Sequence, residues 1–523
     1  MDVRTTEAHN VLVGGGELGR CGTRIHHDRF TDAPFARDPV AERRIAEGRR
    51  WERTVVDQLL DGLKAGVVGT ASDPFDRTHP VVVASGVPAE ERETITRALL
   101  HAGVPLIVGG RLTDAASRSV GAPDLLVRLD DGYAPVDIKH HKVVDNRGIP
   151  CRLTPIGRLG DTNGASTAFR TARVNDLLQV AHYWTLLDSA GYASPRRLVG
   201  VIGSEPSLVC LWTDLDAGTP PIETRYWTAL SNALRVVDAG RLHPNEPVVA
   251  PMWRGECRSC PWARFCRSEL EAVDHVSLLP GVGPAATERL VGAGIATTAK
   301  IGDLSDEALD TLDITSEARL QARAREAGLL IHRAGADLAL PDVRIEIDFD
   351  VETYRGMLYL AGLLVTDERG SRFEPIADWS GTAEGERQIL SDLFAFFDEV
   401  AERGGAVVYH WTGYERTILN EAAHRHGLMV ESASSVDEWF DHHAVDLHRW
   451  VKDRFVSPSG YSLKVIAPLC GFDWRDDDPG GAQSELWYEA LLAGDDSQRL
   501  RLLDYNEDDV AAQLAIRRWV RES

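Results

Sequence analysis

The sequence has no apolar run of the roughly 20 residues that a membrane-spanning helix needs. Positive charge is also scarce, because 57 lysine and arginine residues stand against 80 aspartate and glutamate residues and give a formal net charge of -23. Bulk electrostatic attraction to nucleic acid is therefore not expected, and any such binding should depend strongly on divalent metal ions. The first residues, MDVRTTEAHN, lack the pattern of a signal peptide, so we expect a cytoplasmic protein.

Cysteine is sparse as well, with seven residues in 523. A cytoplasmic chain is not expected to carry disulfides, so its cysteines indicate metal binding or chance. Cys257, Cys260 and Cys266 form the cluster CRSCPWARFC, which supplies three ligands and would need a fourth. Cys151, Cys210 and Cys470 are scattered and are interpreted as ordinary buried thiols.

Length and composition indicate a soluble protein of several domains. A chain of 523 residues is too long for one hydrophobic core, and we expect two to four domains. The 43% of hydrophobic and 26% of charged residues are typical of globular proteins.

The stretch GAPDLLVRLDDGYAPVDIK, residues 121–139, predicts a β-hairpin with an acidic turn at Asp130, Asp131 and Gly132. Asp124 opens the first strand, while Asp137 and Lys139 close the second strand on one face. An antiparallel return brings two carboxylates and a lysine to one point. Carboxylates held together favour a hard cation such as Mg²⁺ or Mn²⁺, and the lysine can stabilise charge on a phosphate. The alternative is a surface hairpin with solvated charges.

One amphipathic helix and one apolar helix flank this hairpin in the sequence. The first, AERRIAEGRRWERTVVDQLLDGLKAG, places Ile45, Leu59 and Leu63 among its apolar positions and carries Glu52. The second, VNDLLQVAHYWTLLDSAG, holds Gln179 and Tyr183 on one face, at positions i and i+4. A solvated glutamate and a core helix are the simpler interpretations of these residues.

Gly-x-x-Asp, then Asp-x-Lys, then Gln-x-x-x-Tyr, in this order, resembles the RecB-like branch of the PD-(D/E)XK nucleases. The resemblance implies a restriction-endonuclease-like fold in which Glu52, Asp124 and Asp137 hold metal and Lys139, Gln179 and Tyr183 are catalytic. A lone N-terminal cysteine, Cys21, with the later triplet resembles the iron–sulfur staple of four-cysteine nucleases of this group. That likeness implies a structural [4Fe–4S] cluster, and zinc is the alternative. We expect Cys21 to lie in a helix.

A short segment after the cysteines, VSLLPGVGPAATERLVGAGI, resembles a helix-hairpin-helix module. Gly281 and Gly283 would let backbone N–H groups approach a phosphate of nucleic acid. A structural spacer is the alternative interpretation.

The final third carries a second set of acids. VRIEIDFDVETYRGMLYLAGLLV predicts two strands with a turn at Arg355-Gly356, and Asp350 and Glu352 share a strand face. Glu415 follows at a helix start, and a last helix places Tyr505 and Asp509 at i and i+4. Asp446 and Lys464 are interpreted as structural, with a place in the lining of the groove as the alternative.

The order Asp-x-Glu, Tyr-Glu and Tyr-x-x-x-Asp resembles the DEDD exonucleases of the RNase H-like fold. This likeness implies that Asp350, Glu352, Glu415 and Asp509 hold two metal ions while Tyr505 positions or deprotonates a water. Glu415 stands where the family has aspartate, and the longer side chain is expected to weaken the metal site.

The whole order resembles bacterial proteins that join a RecB-like nuclease to an RNase H-like exonuclease. It implies an α/β chain with a nuclease domain at 1–270, a helix-hairpin-helix and helical linker at 271–340, and a DEDD exonuclease domain at 341–523. The expected activity is metal-dependent phosphodiester hydrolysis, with DNA favoured over RNA and a separate helicase as a partner, since no Walker A motif is present. The alternative is a non-catalytic binding or assembly factor with one or both folds inactive.

Overall fold

The structure is a computed structural model that describes residues 12–31, 39–129, 131–145, 147–162, 169–171, 173–476 and 480–523. Asp130, in the predicted hairpin turn, lies outside the described residues. The chain divides into two compact units, one formed by Met1–Pro251 with Gly255–Phe265 and one by Met252–Arg254 with Cys266–Ser523. Among the helices of the described ranges, none combines the length and the apolar character needed to cross a membrane.

The first unit is a mixed α/β structure, as predicted. Its strands β1 to β13 are Val13–Gly14, Gly66–Val68, Val81–Val83, Leu106–Val108, Leu112–Asp114, Ser119–Gly121, Leu125–Leu129, Gly132–Ile138, Val144–Asp145, Ile149–Pro155, Phe169–Thr171, Leu198–Ile202 and Val209–Asp214. Its helices α1 to α5 are Gly22–Phe30, Pro39–Leu60, Ala89–Ala102, Val174–Ser189 and Ile222–Leu242. The main sheet has the order β2-β3-β4-β7-β8-β12-β13-β10-β11-β9.

The predicted hairpin is confirmed by strands β7 and β8, which pair antiparallel with Leu125 opposite Val136 and Leu129 opposite Gly132. Glycine is required at the turn, because a Cβ on Gly132 would lie 2.7 Å from the Ala193 carbonyl oxygen. Strand β8 also pairs with β12 in parallel, so the end of the hairpin that carries Asp124 and Asp137 lies inside the main sheet.

The first long helix is shorter than its sequence pattern suggests. Helix α2 ends at Leu60, so Leu63 lies beyond it and is 53% exposed. Ile45 is 57% exposed, whereas Val55 and Leu59 are buried. Only the middle of the apolar stripe therefore packs against the sheet.

The second unit combines a helical segment with a five-stranded sheet. Helix α6, Ala263–Ala272, begins in the first unit and continues into the second. Helices α7 to α17 of the second unit are Pro284–Gly292, Thr298–Gly302, Asp306–Leu312, Ser316–Ala327, Ala383–Arg403, Tyr414–His426, Val436–His443, Leu447–Arg454, Leu463–Leu469, Gly481–Leu492 and Gln498–Glu522. Its strands β14 to β20 are Ile331–His332, Ile345–Tyr354, Met357–Asp367, Gly370–Ala377, Ala406–His410, Ala444–Asp446 and Phe455–Val456.

The five-stranded sheet has the order β17-β16-β15-β18-β19. Strands β15, β16 and β17 are antiparallel neighbours, while β18 and β19 continue the sheet in parallel to β15. The predicted turn is confirmed at Arg355 and Gly356, which have φ values of 54° and 78° as a tight hairpin of this twist needs. Helix α17 packs along the central strand β15.

Candidate functional site

Three carboxylates of the second unit converge between strand β15 and helix α17. One oxygen each from Asp350, Glu352 and Asp509 lie within 4.8 Å of one another. Asp350 and Glu352 share a face because residues i and i+2 of a strand point the same way. Glu352 and Asp509 are buried and Asp350 is half-buried.

Neutral donors fix the first two acids. The Ser484 hydroxyl donates to Glu352 Oε2 at 2.7 Å, and the Asn506 amide donates to Asp350 Oδ2 at 2.8 Å. Glycine is required at position 362 of β16, since a Cβ there would lie 1.7 Å from Asn506 Oδ1. Sequence patterns missed Ser484 and Asn506, because the chain brings them to the acids only through packing.

Aromatic and cationic groups surround the third acid. The Lys464 ammonium forms a close ion pair with Asp509, and the Trp474 indole donates to Asp509 Oδ1 at 2.7 Å. Lys464 therefore contacts a candidate ligand, which favours the groove-lining alternative over a purely structural role. Asp446 does have a structural contact, because its carboxylate caps helix α14 by accepting from the Arg449 N–H.

Burial and mutual repulsion raise the pKa values of Asp350 and Glu352. The pKa of Asp350 is raised well above its usual range, first by burial and then by the charges of Asp509 and Glu352. Burial, followed by the charge of Asp509, raises the pKa of Glu352 to about 8. A divalent cation would relieve this repulsion, so the donor set fits a hard ion such as Mg²⁺ or Mn²⁺.

Glu415 lies beside this trio but not within it. Its carboxylate is 2% exposed, and Oε2 has no hydrogen-bond donor among the described residues. Its nearest basic partner is His410, whose Nδ1 lies 3.6 Å from Oε2. Burial raises the pKa of Glu415 despite that histidine, and the charge of Glu415 contributes to the raised pKa of Asp350.

Tyr505 is a buried neutral phenol at the same place. Burial, then the charges of Glu352 and Asp509, raises its pKa far above that of a free phenol. A hydrogen bond from the Tyr505 hydroxyl to Asp509 adds to this shift.

A row of acids continues down the same face of strand β15. Glu346 and Asp348 precede Asp350 at spacings of two, and both contact the fully buried Arg517. The guanidinium lies 2.6 Å from Asp348 and 2.7 Å from Glu346. The buried Arg517 thus neutralises Asp348, and we assign Glu346 and Asp348 a structural role.

The hairpin residues of the first unit also meet. The Ile138 N–H donates to Asp124 Oδ2 at 2.7 Å, and Lys139 Nζ lies 2.5 Å from Asp137 Oδ2. Burial, followed by repulsion from Asp137 and Glu52, raises the pKa of Asp124 well above its usual range. Burial also raises the pKa of Asp137, and this effect outweighs the opposing charge of Lys139.

Helices α4 and α2 bring the remaining predicted residues to this point. Gln179 accepts from Lys139 Nζ at 2.8 Å and donates to the Tyr183 hydroxyl at 2.7 Å. Burial, and then the charge of Asp137, raises the pKa of Glu52. Asp137 has Lys139 as a cationic partner, and among the described residues the three acids Glu52, Asp124 and Asp137 are not brought as close together as the trio of the second unit.

The predicted cysteine ligands differ in their settings. Cys21 does not lie in a helix as expected but immediately precedes α1, where its sulfur accepts from the Arg24 N–H at 3.3 Å. Cys257 and Cys260 lie in one turn of the first unit, and the Trp262 indole joins that segment to Asp28 of α1 at 2.7 Å. Cys266 lies on helix α6. Cys151 and Cys210 are buried and Cys470 is half-buried.

Gly281 and Gly283 lie in the loop before helix α7. Gly281 has φ of 80°, which favours glycine, and Gly283 is the residue that precedes the helix. A Cβ added to either would meet no described atom within 4 Å. The loop backbone is therefore accessible.

The fold and acids of the second unit define a class of domain. A family model described as the RNase H superfamily matches residues 347–521, which is about one third of the chain. This part of the chain is an RNase H-like domain, and its acidic trio lies within the match. No curated protein matches the chain.

The raised pKa of Glu352 predicts how stability depends on pH. Without divalent ions, the free energy of unfolding should fall by up to a few kcal/mol as pH rises from 4.5, the ordinary value, to about 8. The folded chain holds the Glu352 proton more tightly than the unfolded chain does. The stabilisation from this protonation is therefore fully present below pH 4.5 and is lost as the pH rises to the folded-state pKa of about 8. Urea unfolding at pH 5 and pH 8 measures it. Glu352→Gln should flatten the dependence and Mg²⁺ should restore stability at pH 8, whereas an identical slope in the variant would contradict the assignment.

Proposed function

We propose that the protein is a metal-dependent nuclease that hydrolyses phosphodiester bonds in nucleic acid, with DNA favoured over RNA and exonucleolytic cleavage favoured over internal cleavage. The observation that carries the proposal is the convergence of Asp350, Glu352 and Asp509 within an RNase H-like domain. Carboxylates clustered in this way are the ligands that hydrolytic metal ions use.

The C-terminal site would hold its ions through Asp350, Glu352, Glu415 and Asp509. Bound divalent ions would supply a water of lowered pKa and charge stabilisation for the leaving oxygen. Asn506 and Ser484 hold the carboxylates of Asp350 and Glu352 in place. Tyr505 would position or deprotonate the attacking water.

The N-terminal site would form a second, RecB-like centre. Asp124, Asp137 and Glu52 would hold the ion, and Lys139 would stabilise negative charge on the attacked phosphate. Burial opposes ionisation of Lys139, but the charge and hydrogen bond of Asp137, together with the charges of Asp176 and Asp124, outweigh it and raise the lysine pKa, so the side chain stays cationic. Gln179 bridges Lys139 and Tyr183 and so fixes the ammonium in the site.

Cleavage assays with Mn²⁺ on end-labelled single- and double-stranded DNA and RNA test the proposal. Lys139→Ala and Asp350→Ala should each remove one activity, with losses on the order of 10²–10³-fold on the substrate of that site. The double variant should be inactive. Full cleavage by the double variant would refute a nuclease at these sites.

A non-catalytic binding or assembly factor is the second candidate, and the setting of Glu415 favours it. That carboxylate lies 3.6 Å from His410 Nδ1, outside the trio of converging acids, and replaces the aspartate expected from the DEDD pattern. Metal-dependent binding of oligonucleotides without cleavage in Mg²⁺ or Mn²⁺ would support this function. Cleavage that Glu415→Gln abolishes would exclude it for the C-terminal domain.

We further propose that Cys21, Cys257, Cys260 and Cys266 hold a structural [4Fe–4S] cluster, with zinc as the alternative. The support is their sequence spacing, together with the side-chain link between α1 and the segment of Cys257 and Cys260. Protein purified without oxygen should be brown and contain about four iron atoms per chain. Cys260→Ser should lose both colour and iron. Stoichiometric zinc in a colourless sample would replace the cluster with a zinc site.

The loop of Gly281 and Gly283 is proposed as a nucleic-acid contact, and a separate helicase as a partner. The open backbone before helix α7 supports the contact. Gly283→Val should weaken binding of duplex DNA in Ca²⁺, used to suppress turnover, without changing metal binding. If Gly283→Val binds duplex DNA with unchanged affinity, the loop of Gly281 and Gly283 is not a nucleic-acid contact and is better described as a structural spacer.

A further inference from the structure

The ammonium of Lys464 lies among Asp509, Trp474 and Tyr505 beside the acidic trio of the C-terminal domain. Its ammonium pairs with Asp509, and it lies 4.0 Å from the centroid of the Trp474 ring and 4.7 Å from that of Tyr505. Two aromatic faces and one carboxylate enclose the charge, an arrangement that stabilises a cation. The lysine side chain is nevertheless 30% exposed, so it can be reached from solvent.

The pairing cannot be the whole role of this lysine once metal is present. Asp509 belongs to the trio whose ligand atoms lie within 4.8 Å, so a divalent ion bound there competes with the ammonium for the same carboxylate. The Trp474 indole contacts Asp509 Oδ1 and can hold that carboxylate in place without the lysine. The lysine chain is flexible and can move the short distance to a neighbouring anion.

Charge balance indicates what that anion is. Asp350, Glu352, Glu415 and Asp509, when ionised, carry as much negative charge as two divalent ions carry positive charge. A metal-loaded site without another cation would be neutral and would attract a phosphodiester weakly. Lys464 supplies the surplus positive charge at this point.

We propose that Lys464 is a substrate-binding residue of the C-terminal site, which pairs with Asp509 before metal binds and contacts a backbone phosphate of the nucleic acid afterwards. This inference rests on the proposed function. In the C-terminal site, Lys464 would have a role like the one expected of Lys139 in the hairpin site. The two lysines come from unrelated positions of the chain.

The test compares Lys464→Met, Lys464→Arg and Lys452→Met in the full chain. Lys452 is an exposed lysine on helix α14 and controls for loss of one positive charge from the same domain. Binding of Mn²⁺ is followed by electron paramagnetic resonance. Binding of a single-stranded oligonucleotide is measured in Ca²⁺, which suppresses turnover, over a range of salt concentrations.

Lys464→Met should bind Mn²⁺ about threefold or more tightly, because a competing cation is gone. Its affinity for the oligonucleotide should fall about fivefold at 0.1 M salt, and the magnitude of the slope of log K against log salt should decrease by about 0.7, the value for one phosphate contact to a single strand. Lys464→Arg should keep the wild-type slope, and Lys452→Met should change neither quantity. Weaker Mn²⁺ binding in Lys464→Met, or an unchanged salt slope, would overturn the proposal and leave Lys464 a tether of Asp509.

Asp350→Asn separates this inference from the proposed function. If Asp350→Asn loses Mn²⁺ and metal-dependent oligonucleotide binding while Lys464→Met keeps the wild-type slope, the metal site stands and the role of Lys464 fails. If Asp350→Asn binds both as wild type does, the C-terminal site itself is refuted, and the assignment of Lys464 falls with it.

Discussion

Replacing Arg517 by methionine should lower the free energy of unfolding of the second unit by about 3–5 kcal/mol, because the change leaves a buried carboxylate without its cation. Both Arg517 and Asp348 are fully buried, and their side chains are joined by two hydrogen bonds of 2.6 Å and 2.9 Å. Burial raises the pKa of Asp348 even with the guanidinium beside it, so the unpaired acid in the variant would be costlier still. Urea unfolding followed by circular dichroism measures the loss.

Two further variants identify the cause of that loss. Asp348→Asn combined with Arg517→Met should recover part of the stability, because the uncompensated charge is gone. Arg521→Met removes a 43% exposed partner of Glu346 and should cost no more than about 1 kcal/mol. A loss below about 1 kcal/mol in Arg517→Met alone would show that the buried pair does not support strand β15.

Gly362→Ala should disrupt the C-terminal centre without touching a candidate metal ligand. The added methyl would overlap Asn506 Oδ1, and Asn506 is the donor that fixes Asp350. We expect a loss of about 1–3 kcal/mol in stability from overpacking and a loss of about 10–100-fold in Mn²⁺ affinity from displacement of the supporting amide. Thermal unfolding and calorimetric titration with Mn²⁺ measure the two effects.

The double variant Gly362→Ala with Asn506→Ala separates these effects. Space for the methyl is restored, so stability should recover, while Mn²⁺ affinity should stay low because Asp350 lacks its donor. Gly292→Ala, at the end of helix α7 where the added methyl meets no described atom within 4 Å, should be neutral or slightly stabilising. Recovery of both quantities in the double variant would mean that Asn506 does not orient Asp350.

Local spacing predicted those parts of the fold that depend on neighbours in the chain. Alternation along a strand put Asp350 beside Glu352, and a turn rich in acid and glycine predicted the hairpin that brings Asp124 to Asp137. The structure brings both pairs together. The mixed α/β class and the C-terminal RNase H-like domain are likewise confirmed. The restriction-endonuclease-like and helix-hairpin-helix assignments and the domain boundaries stay predictions.

Contacts that depend on packing were beyond the sequence. Asn506 reaches the C-terminal acids from an element more than 100 residues after strand β15, and no period or motif marks it. The sequence offers Lys464 only as one alternative for the lining of the groove, and packing sets its contact with Asp509. Leu63 fits the apolar stripe of helix α2 but lies past its end, since a stripe does not define where a helix stops. Strand β15 carries acids of two kinds. Glu346 and Asp348 form ion pairs with the buried Arg517, whereas Asp350 and Glu352 converge with Asp509, and only the structure distinguishes the two pairs.

The central claim is tested most directly by counting bound Mn²⁺ with electron paramagnetic resonance. The count compares the wild-type chain with one triple variant, which combines Asp350→Asn, Glu352→Gln and Asp509→Asn. The account predicts that the triple variant stays folded, since the buried repulsion is removed, and loses the Mn²⁺ bound at the C-terminal centre. The ions held by the hairpin site should remain, and Asp137→Asn should remove those instead. A triple variant that binds as many Mn²⁺ ions as the wild type, with the same affinity, would contradict the claim that these converging acids form a metal centre.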